Sequence, residues 1–412
     1  MWKEQRIARV PDNFEPLAHD NYRWVILTVV TVSMITYGLI HQSVPPVITL
    51  IISDLSLSHA QAGALIGALA IPGIFIALPA GLLISRFGSR LVGAAAFGFM
   101  SLGALITALS PSFAILLIGR LISGCGAMTL SVLLAQLLGQ WFHGRRVGMA
   151  MAIYQTGFPL GVILAFNVFS YLGAAFDWHT ALLGGVGAAV VTGLLFVGLA
   201  RPSPYTPAPA GRAISWSSDG LSILRRCWPP IAAWAWMQAT MVSLFTFTPD
   251  LLVEQGWTVS AAGRAVSMVL WPCLIGSPIV GYLVDRTQWK LPFILAGSAM
   301  AILAIGAIAT GLLPVWSSML LLGFGISALP GTLYAMPNDL APPQGLPIAF
   351  GLMTMFQNVG VTFGPYVAGQ MKDLTGAYTW TYVLIMAFML MAPLSALGVI
   401  PVRRQLRKGT LA

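Results

Sequence analysis

Twelve apolar runs, six on either side of a proline-rich break, limit what this 412-residue chain can fold into more than any other feature of it. They lie near 24–45, 60–84, 91–109, 112–140, 147–172 and 179–200, then near 229–251, 260–284, 291–312, 315–338, 346–371 and 379–401. Crossing a hydrocarbon core of about 30 Å takes about 20 apolar residues of helix, so each run is long enough to span. A helix satisfies its own backbone hydrogen bonds, which a chain in lipid must do. The fold class expected is therefore an all-α membrane protein of twelve transmembrane helices. With 57% of residues hydrophobic and 8% charged, a water-soluble enzyme or binding module is excluded, and no length remains for a large extramembrane domain.

The break runs from Arg201 to Arg226 and carries Pro202, Pro204, Pro207 and Pro209, then serine and glycine. It cannot pack as a span and reads as a linker, with a short interfacial helix around Ile214–Leu224. The organisation expected is a tail over 1–22, a six-helix bundle over 23–200, a linker over 201–227, a second bundle over 228–402 and a basic tail over 403–412. If the N-terminus is cytoplasmic, the cytoplasmic segments hold eighteen of the 21 Lys and Arg, leaving only Arg120, Arg264 and Lys372 elsewhere. That asymmetry places both termini inside. It also accounts for the net charge of +9 without a nucleic-acid partner. No signal peptide precedes the first run. Cys125, Cys227 and Cys273 are far apart, lack metal spacing and read as packing residues.

The halves repeat. A shift of 200 lays Ala62-Gly63 on Ala262-Gly263, Pro72 on Pro272, Gly81 on Gly281 and Arg86 on Arg286. A shift of 204 lays Leu117, Gly119, Ile122 and Ser123 on Leu321, Gly323, Ile326 and Ser327, and one of 202 lays Met151, Gln155 and Trp178 on Met353, Gln357 and Trp380. Parallel repeats place a substrate site at their interface near the midplane.

Across nearly the whole chain these features resemble the major facilitator superfamily. Gly81-Leu-Leu-Ile-Ser85-Arg86-Phe-Gly88-Ser-Arg90 is similar to its cytoplasmic loop motif, with serine where aspartate is usual. Gly281-Tyr-Leu-Val-Asp285-Arg286 is similar to the repeat of that motif and continues as Gln288-Trp289-Lys290 without the second glycine. Arg120-Leu-Ile-Ser-Gly124-Cys-Gly126-Ala127 resembles the family's fourth-helix arginine motif. The resemblance implies alternating access between the halves, and a gating role for Gly81, Arg86, Gly88, Arg90, Asp285 and Arg286, with topogenic charge as the plainer reading of the arginines. Trp141-Phe142-His-Gly-Arg145-Arg146, followed by Gly148-Met-Ala150, looks like the corresponding connection of organic-anion and nitrate-type members. Gly157-Phe-Pro159-Leu-Gly161 resembles the drug-antiporter motif only in part.

Arg120 lies nine residues past Pro111, about 13 Å into the core, where a charge must be paired, hydrated or functional. It reads either as an anion anchor or as a structural arginine on backbone carbonyls of a neighbouring helix. None of the 12 Asp and Glu falls at comparable depth, which disfavours cationic solutes and suits a carboxylate on a planar guanidinium. Gln155 and Gln357, related by the repeat, with Asn358 beside the latter, read as cavity lining or helix-to-helix bonding. Tyr37 and His41 sit one turn apart before Pro45-Pro46, which should bend or end the helix. His41 could carry a proton or be simply solvated. Gln238, near Trp234 and Trp236, is the candidate from the seventh span.

The function expected is transport of a small anionic solute, a monocarboxylate or similar organic acid, by secondary active or facilitative alternating access. Substrate-binding candidates are Arg120, Gln155, Gln357, Asn358, Tyr37, His41 and Gln238. Proton symport, anion exchange and uniport stay open. The alternatives are efflux of amphipathic compounds, which the 18 Met would suit, and a transporter-like sensor or assembly factor. Enzymatic motifs are lacking, and no catalytic residue, metal or cofactor is expected. The partners expected are the solute and the lipid bilayer, with the chain acting as a monomer in a bacterial inner membrane.

Overall fold

A computed structural model describes residues 19–142, 147–201, 203, 219–342 and 345–407. Arg145, Arg146, most of the expected linker and the ends of both tails lie outside the described residues. The helices are α1 (His19–His41), α2 (Ile48–Leu55), α3 (His59–Ala68), α4 (Ile71–Ala108), α5 (Phe113–Trp141), α6 (Val147–Ala175) and α7 (Trp178–Leu199). They continue as α8 (Asp219–Glu254), α9 (Val259–Ser267), α10 (Leu270–Thr287), α11 (Lys290–Thr310), α12 (Val315–Ser327), α13 (Pro330–Ala335), α14 (Leu346–Thr375), α15 (Tyr378–Leu397) and α16 (Val399–Arg407).

These sixteen pieces make the twelve passes of an all-helical membrane protein. α1 ends at His41 because Pro45 and Pro46 have no N–H for the preceding carbonyls, and a 3-10 turn at Pro45–Val47 leads into α2. The second pass is α3 plus the start of α4, broken at Leu69-Ala70, and the eighth is α9 plus α10, broken at Met268-Val269. Pro72 and Pro272 follow these breaks at matching places. The symmetry extends to the caps: Ser58 accepts from the Gln61 N–H to start α3, and Thr258 accepts from the Ala261 N–H to start α9. α4 contains two passes, divided at Gly88, whose φ of 79° and ψ of 158° suit only glycine. At the corresponding point Gln288 closes α10 with a φ of 59°.

Among the described residues ten segments are long and apolar enough to cross a membrane, and the seventh and eleventh passes, α8 and α14, are not among them. These two carry the buried polar side chains Thr240, Ser243, Thr246, Thr248, Asp250 and Asn358, and they pack against each other inside the bundle. Lipid does not touch such a face, so its composition is free to be polar. α8 begins at Asp219, so its first turns occupy part of the stretch expected as linker.

One end of the molecule, the linker face, gathers the start of α1, the end of α5 and Arg201, where Tyr22 bonds the Leu199 carbonyl and Trp141 that of Arg201. In the second half this face is held by Asp339, which meets Lys290 at 2.8 Å and Arg403 at 2.6 Å. The opposite end, the loop face, carries the α2–α3, α6–α7, α8–α9 and α14–α15 connections.

Candidate substrate-binding site

The breaks leave carbonyls without a helical partner, and Arg120 of α5 is where they converge. Its Nη1 donates to the Ile40 carbonyl at 3.2 Å and to Ser43 Oγ at 3.4 Å, its Nη2 to the His41 carbonyl at 3.3 Å, and its Nε to the Leu65 carbonyl at 3.4 Å. His41 lost its donor to Pro45. Leu65 lost its donor at the α3 break, where the Leu69 N–H turns to Gly67 instead. Arg120 is 2% exposed, and a cavity of about 10 Å³ between Thr107 and Ser123 touches it. One of its five N–H groups remains uncommitted among the described residues.

Above the same peptide sits an aromatic wall. The rings of Tyr37, His41 and Phe158 stand 5.7 Å apart pairwise. His41 Nδ1 and Gln42 Oε1 are buried and make no hydrogen bond among the described residues. The Tyr37 hydroxyl points at Met128 Sδ, 4.0 Å away. Met128 and Asn358 both border Gly73, where an added Cβ would lie 2.9 Å from the sulfur and 2.6 Å from the amide nitrogen. Tyr37 of the first half and Asn358 of the second are thereby brought to one place.

The facing wall comes from α8, α13 and α14. Trp234 donates to Gln357 Oε1 at 2.8 Å, Tyr334 reaches the same oxygen at 3.5 Å, and the two rings meet edge to face at 4.8 Å. The Asn358 amide donates to the Thr354 carbonyl. Gln357 thus presents its NH2 end while its oxygen is held. Gln155 is exposed and Gln238 half-buried, and neither makes a hydrogen bond among the described residues. Phe158 packs against the cores of both halves and joins the two walls.

The gating candidates all lie toward the linker face. Gly81 is within α4, and Gly88 makes the turn between two passes. Arg90 donates to the Val197 carbonyl at 2.8 Å, while Arg86 is exposed with its guanidinium 5.4 Å from the Phe87 ring. Asp285 and Arg286 are exposed, and open space surrounds Gly281. The halves meet instead along two seams nearer the loop face, α3 against α14 and α6 against α9. Backbones touch there: a Cβ on Gly63 would fall 2.1 Å from the Pro365 oxygen, and one on Gly263 2.4 Å from that of Phe166.

A further cluster at the loop end of the first seam is not legible in the sequence, where its members look like isolated loop-edge residues. His59 Nδ1 lies 2.8 Å from Asp373 Oδ1, and His59 Nε2 lies 3.3 Å from Asp250 Oδ2. Asp373 also accepts from the backbone N–H groups of His59 and Ala60, capping α3 from across the seam. Tyr378 donates to Asp250, and Lys372 pairs with Glu254 at 2.8 Å. Asp373 stands two residues past the expected eleventh span. Burial raises its carboxyl pKa, and the N–H groups of Ala60 and His59 outweigh that, holding it below the usual carboxylate range. Pairings over such sequence distances, 314 residues for His59 and Asp373, leave no local signal.

The described helices overlay a crystal structure of the nucleoside transporter NupG with a TM-score of 0.78, at 14% identity, over 91% of this chain and 99% of that one. A 3-(3-hydroxy-phenyl)propionate transporter of Escherichia coli is 28% identical over 317 residues, 72% of this chain and 74% of the relative. The lysosomal dipeptide transporter MFSD1 of Danio rerio is 24% identical over 367 residues, 84% of this chain and 79% of the relative. The profile of the Major Facilitator Superfamily matches residues 26–344 and 239–411. Twelve passes in two related halves, an arginine at the carbonyls of broken helices and these matches agree, and the chain belongs to the Major Facilitator Superfamily of membrane transporters rather than to an enzyme family.

Proposed function

We propose that this protein moves a small organic acid, best an aryl-substituted monocarboxylate, by rocking its two halves about the Tyr37–Phe158 and Trp234–Tyr334 walls. The observation that carries this reading is His41 Nδ1, a buried ring nitrogen with no hydrogen-bond partner among the described residues, flanked by two rings and backed by the Arg120 charge on its own carbonyl. A buried polar atom without a partner costs about 1–3 kcal/mol, which a bound carboxylate or hydroxyl would recover. Gln357, Asn358, Gln155 and Gln238 would orient the acid, and the rings would stack on its apolar body. In this reading Arg120 supplies positive potential from behind the wall. The hydroxyphenyl acid of the Escherichia coli relative has this chemistry, and a dipeptide carries a carboxylate too. The charge distribution supports a cytoplasmic linker face and both termini inside, and the short connections between passes support a bacterial inner membrane.

Efflux of amphipathic compounds is the second reading, favoured by the bonds that already occupy Arg120. Thermal stabilisation of the purified protein separates the two. Phenylpropionates, short carboxylates, dipeptides and lipophilic cations are compared on the wild type and on His41→Ala. A ligand at about 100 times its Kd stabilises by about 2.7 kcal/mol. Stabilisation by acids that His41→Ala loses is the expected result. Stabilisation by lipophilic cations alone, unchanged in His41→Ala, would sink the acid reading.

A further inference from the structure

The His59 cluster lies at the loop face, away from both walls of the substrate site, and the function proposed above makes no use of it. Each ring nitrogen of His59 faces a carboxylate oxygen, at 2.8 Å and 3.3 Å. Neutral imidazole has one N–H and one lone pair, and a lone pair against a carboxylate repels. Only the imidazolium, with two N–H groups, satisfies both contacts.

We propose that His59, Asp250 and Asp373 form a proton-binding site whose occupancy latches the two halves together at the loop face. His59 starts α3 in the first half, while Asp250 on α8 and Asp373 on α14 belong to the second, so both charge-assisted bonds cross the seam. When the seam parts, His59 keeps neither carboxylate and becomes an ordinary solvated histidine, which gives up its proton near neutral pH. The closed state therefore holds the proton more tightly than the open one. By linkage, the proton favours closure to the same degree.

The surroundings fit this assignment. α8 presents Glu254 as well as Asp250, α14 presents Lys372 as well as Asp373, and α15 presents the Tyr378 hydroxyl. Glu254 is neutralised by Lys372, whose ammonium lies 4.0 Å from the centre of the Tyr378 ring. Asp250 takes a hydrogen bond from Tyr378, so its charge is stabilised in place. With Asp373 ionised opposite, His59 sits between two carboxylates that each have a further donor, and neither ring nitrogen is free for a metal ion. The His59 side chain is 21% exposed on the loop face. Its proton exchanges with water on that side and acts as a regulator of the gate, not as cargo released at the linker face.

The test needs no solute, so its outcome stands whichever compound is carried. Cys125, Cys227 and Cys273 are replaced by serine, and spin labels are attached at Phe176→Cys and Leu312→Cys. These positions are exposed, 71% and 80%, on loop-face connections of opposite halves. Distance distributions are recorded on the full chain in lipid nanodiscs from about pH 5 to 9. In the wild type the closed, short-distance population should dominate at low pH. Between the histidine pKa values of the open and closed states, its ratio to the open one should fall by up to about tenfold per pH unit. His59→Gln should abolish that dependence and lengthen the mean distance. A wild-type distance that stays constant across the range, or an unchanged pH response in His59→Gln, overturns the proposal. Should His59→Gln fail to fold, histidine-labelled NMR of the wild type decides. One ring remaining imidazolium at about pH 8 supports the latch, and five rings all neutral there overturns it.

Discussion

Single residues hold the places where this fold departs from regular helix. Arg120 serves carbonyls orphaned by Pro45 and by the α3 break, in a region where water is not at hand. Replacing it with methionine leaves several acceptors unpaired, each costing about 1–3 kcal/mol. Arg120→Met should therefore lower thermal stability by at least about 3 kcal/mol, and Arg120→Lys by less, since an ammonium restores one or two bonds; melting in detergent measures both. The sequence singled out Arg120 by its depth and by the arginine motif it opens, and left anchor and structural roles open. Depth says that a charge needs partners, but not whether they are solute or backbone. Gln288 is a second such place. Its φ of 59° strains any residue but glycine by about 1–2 kcal/mol, and its counterpart in the repeat is Gly88. Gln288→Gly should raise stability by up to about 1 kcal/mol after the entropy that glycine loses, whereas Gly88→Ala should lower it. Paired melts check both signs.

At the scale of elements, the passes were legible because lipid demands long apolar runs, and the repeat was legible because Ala62-Gly63 and Ala262-Gly263 keep their register. The reason for that dipeptide appears only in the packed molecule, where each glycine lets backbone meet backbone across a seam. The breaks in the second and eighth passes were encoded too. Pro72 and Pro272 lack the N–H that would bond the carbonyls of Ala68 and Met268. Overlaying the prolines established kinship of the halves without revealing that each interrupts a helix. α8 and α14 were recognised as spans from their apolar runs although both fall short of the apolarity of the other passes, which they can do because their neighbours keep lipid away. Gly63→Ala tests the seam directly. Its Cβ would lie 2.1 Å from backbone that cannot yield, so the variant should remain folded within each half and shift toward the state open at the loop face. The label pair at 176 and 312 reads that shift as a longer distance.

For the whole molecule, the latch sets limits on both sides of the pH scale. At the alkaline end His59 loses its proton. At the acid end the relevant group is Asp373, whose carboxyl is held below its usual range in the closed state. A group depressed in this way contributes above its ordinary pKa and is lost as pH falls through the lowered value. Closure should thus weaken again below about pH 3.9, giving the 176–312 distance a minimum at mildly acidic pH. A monotonic curve down to about pH 2 would show that Asp373 contributes nothing. The seams between the halves have a mechanical meaning as well. Gly63, Gly67, Gly263 and Gly369 lie against backbone of the other half, and beside them Val361 packs with Leu65 and Phe166 with Phe245. Parting such a joint wets peptide groups and oily side chains together. The charged contacts across it sit at its rim, where a change in the surrounding water can reach them and tip the hinge.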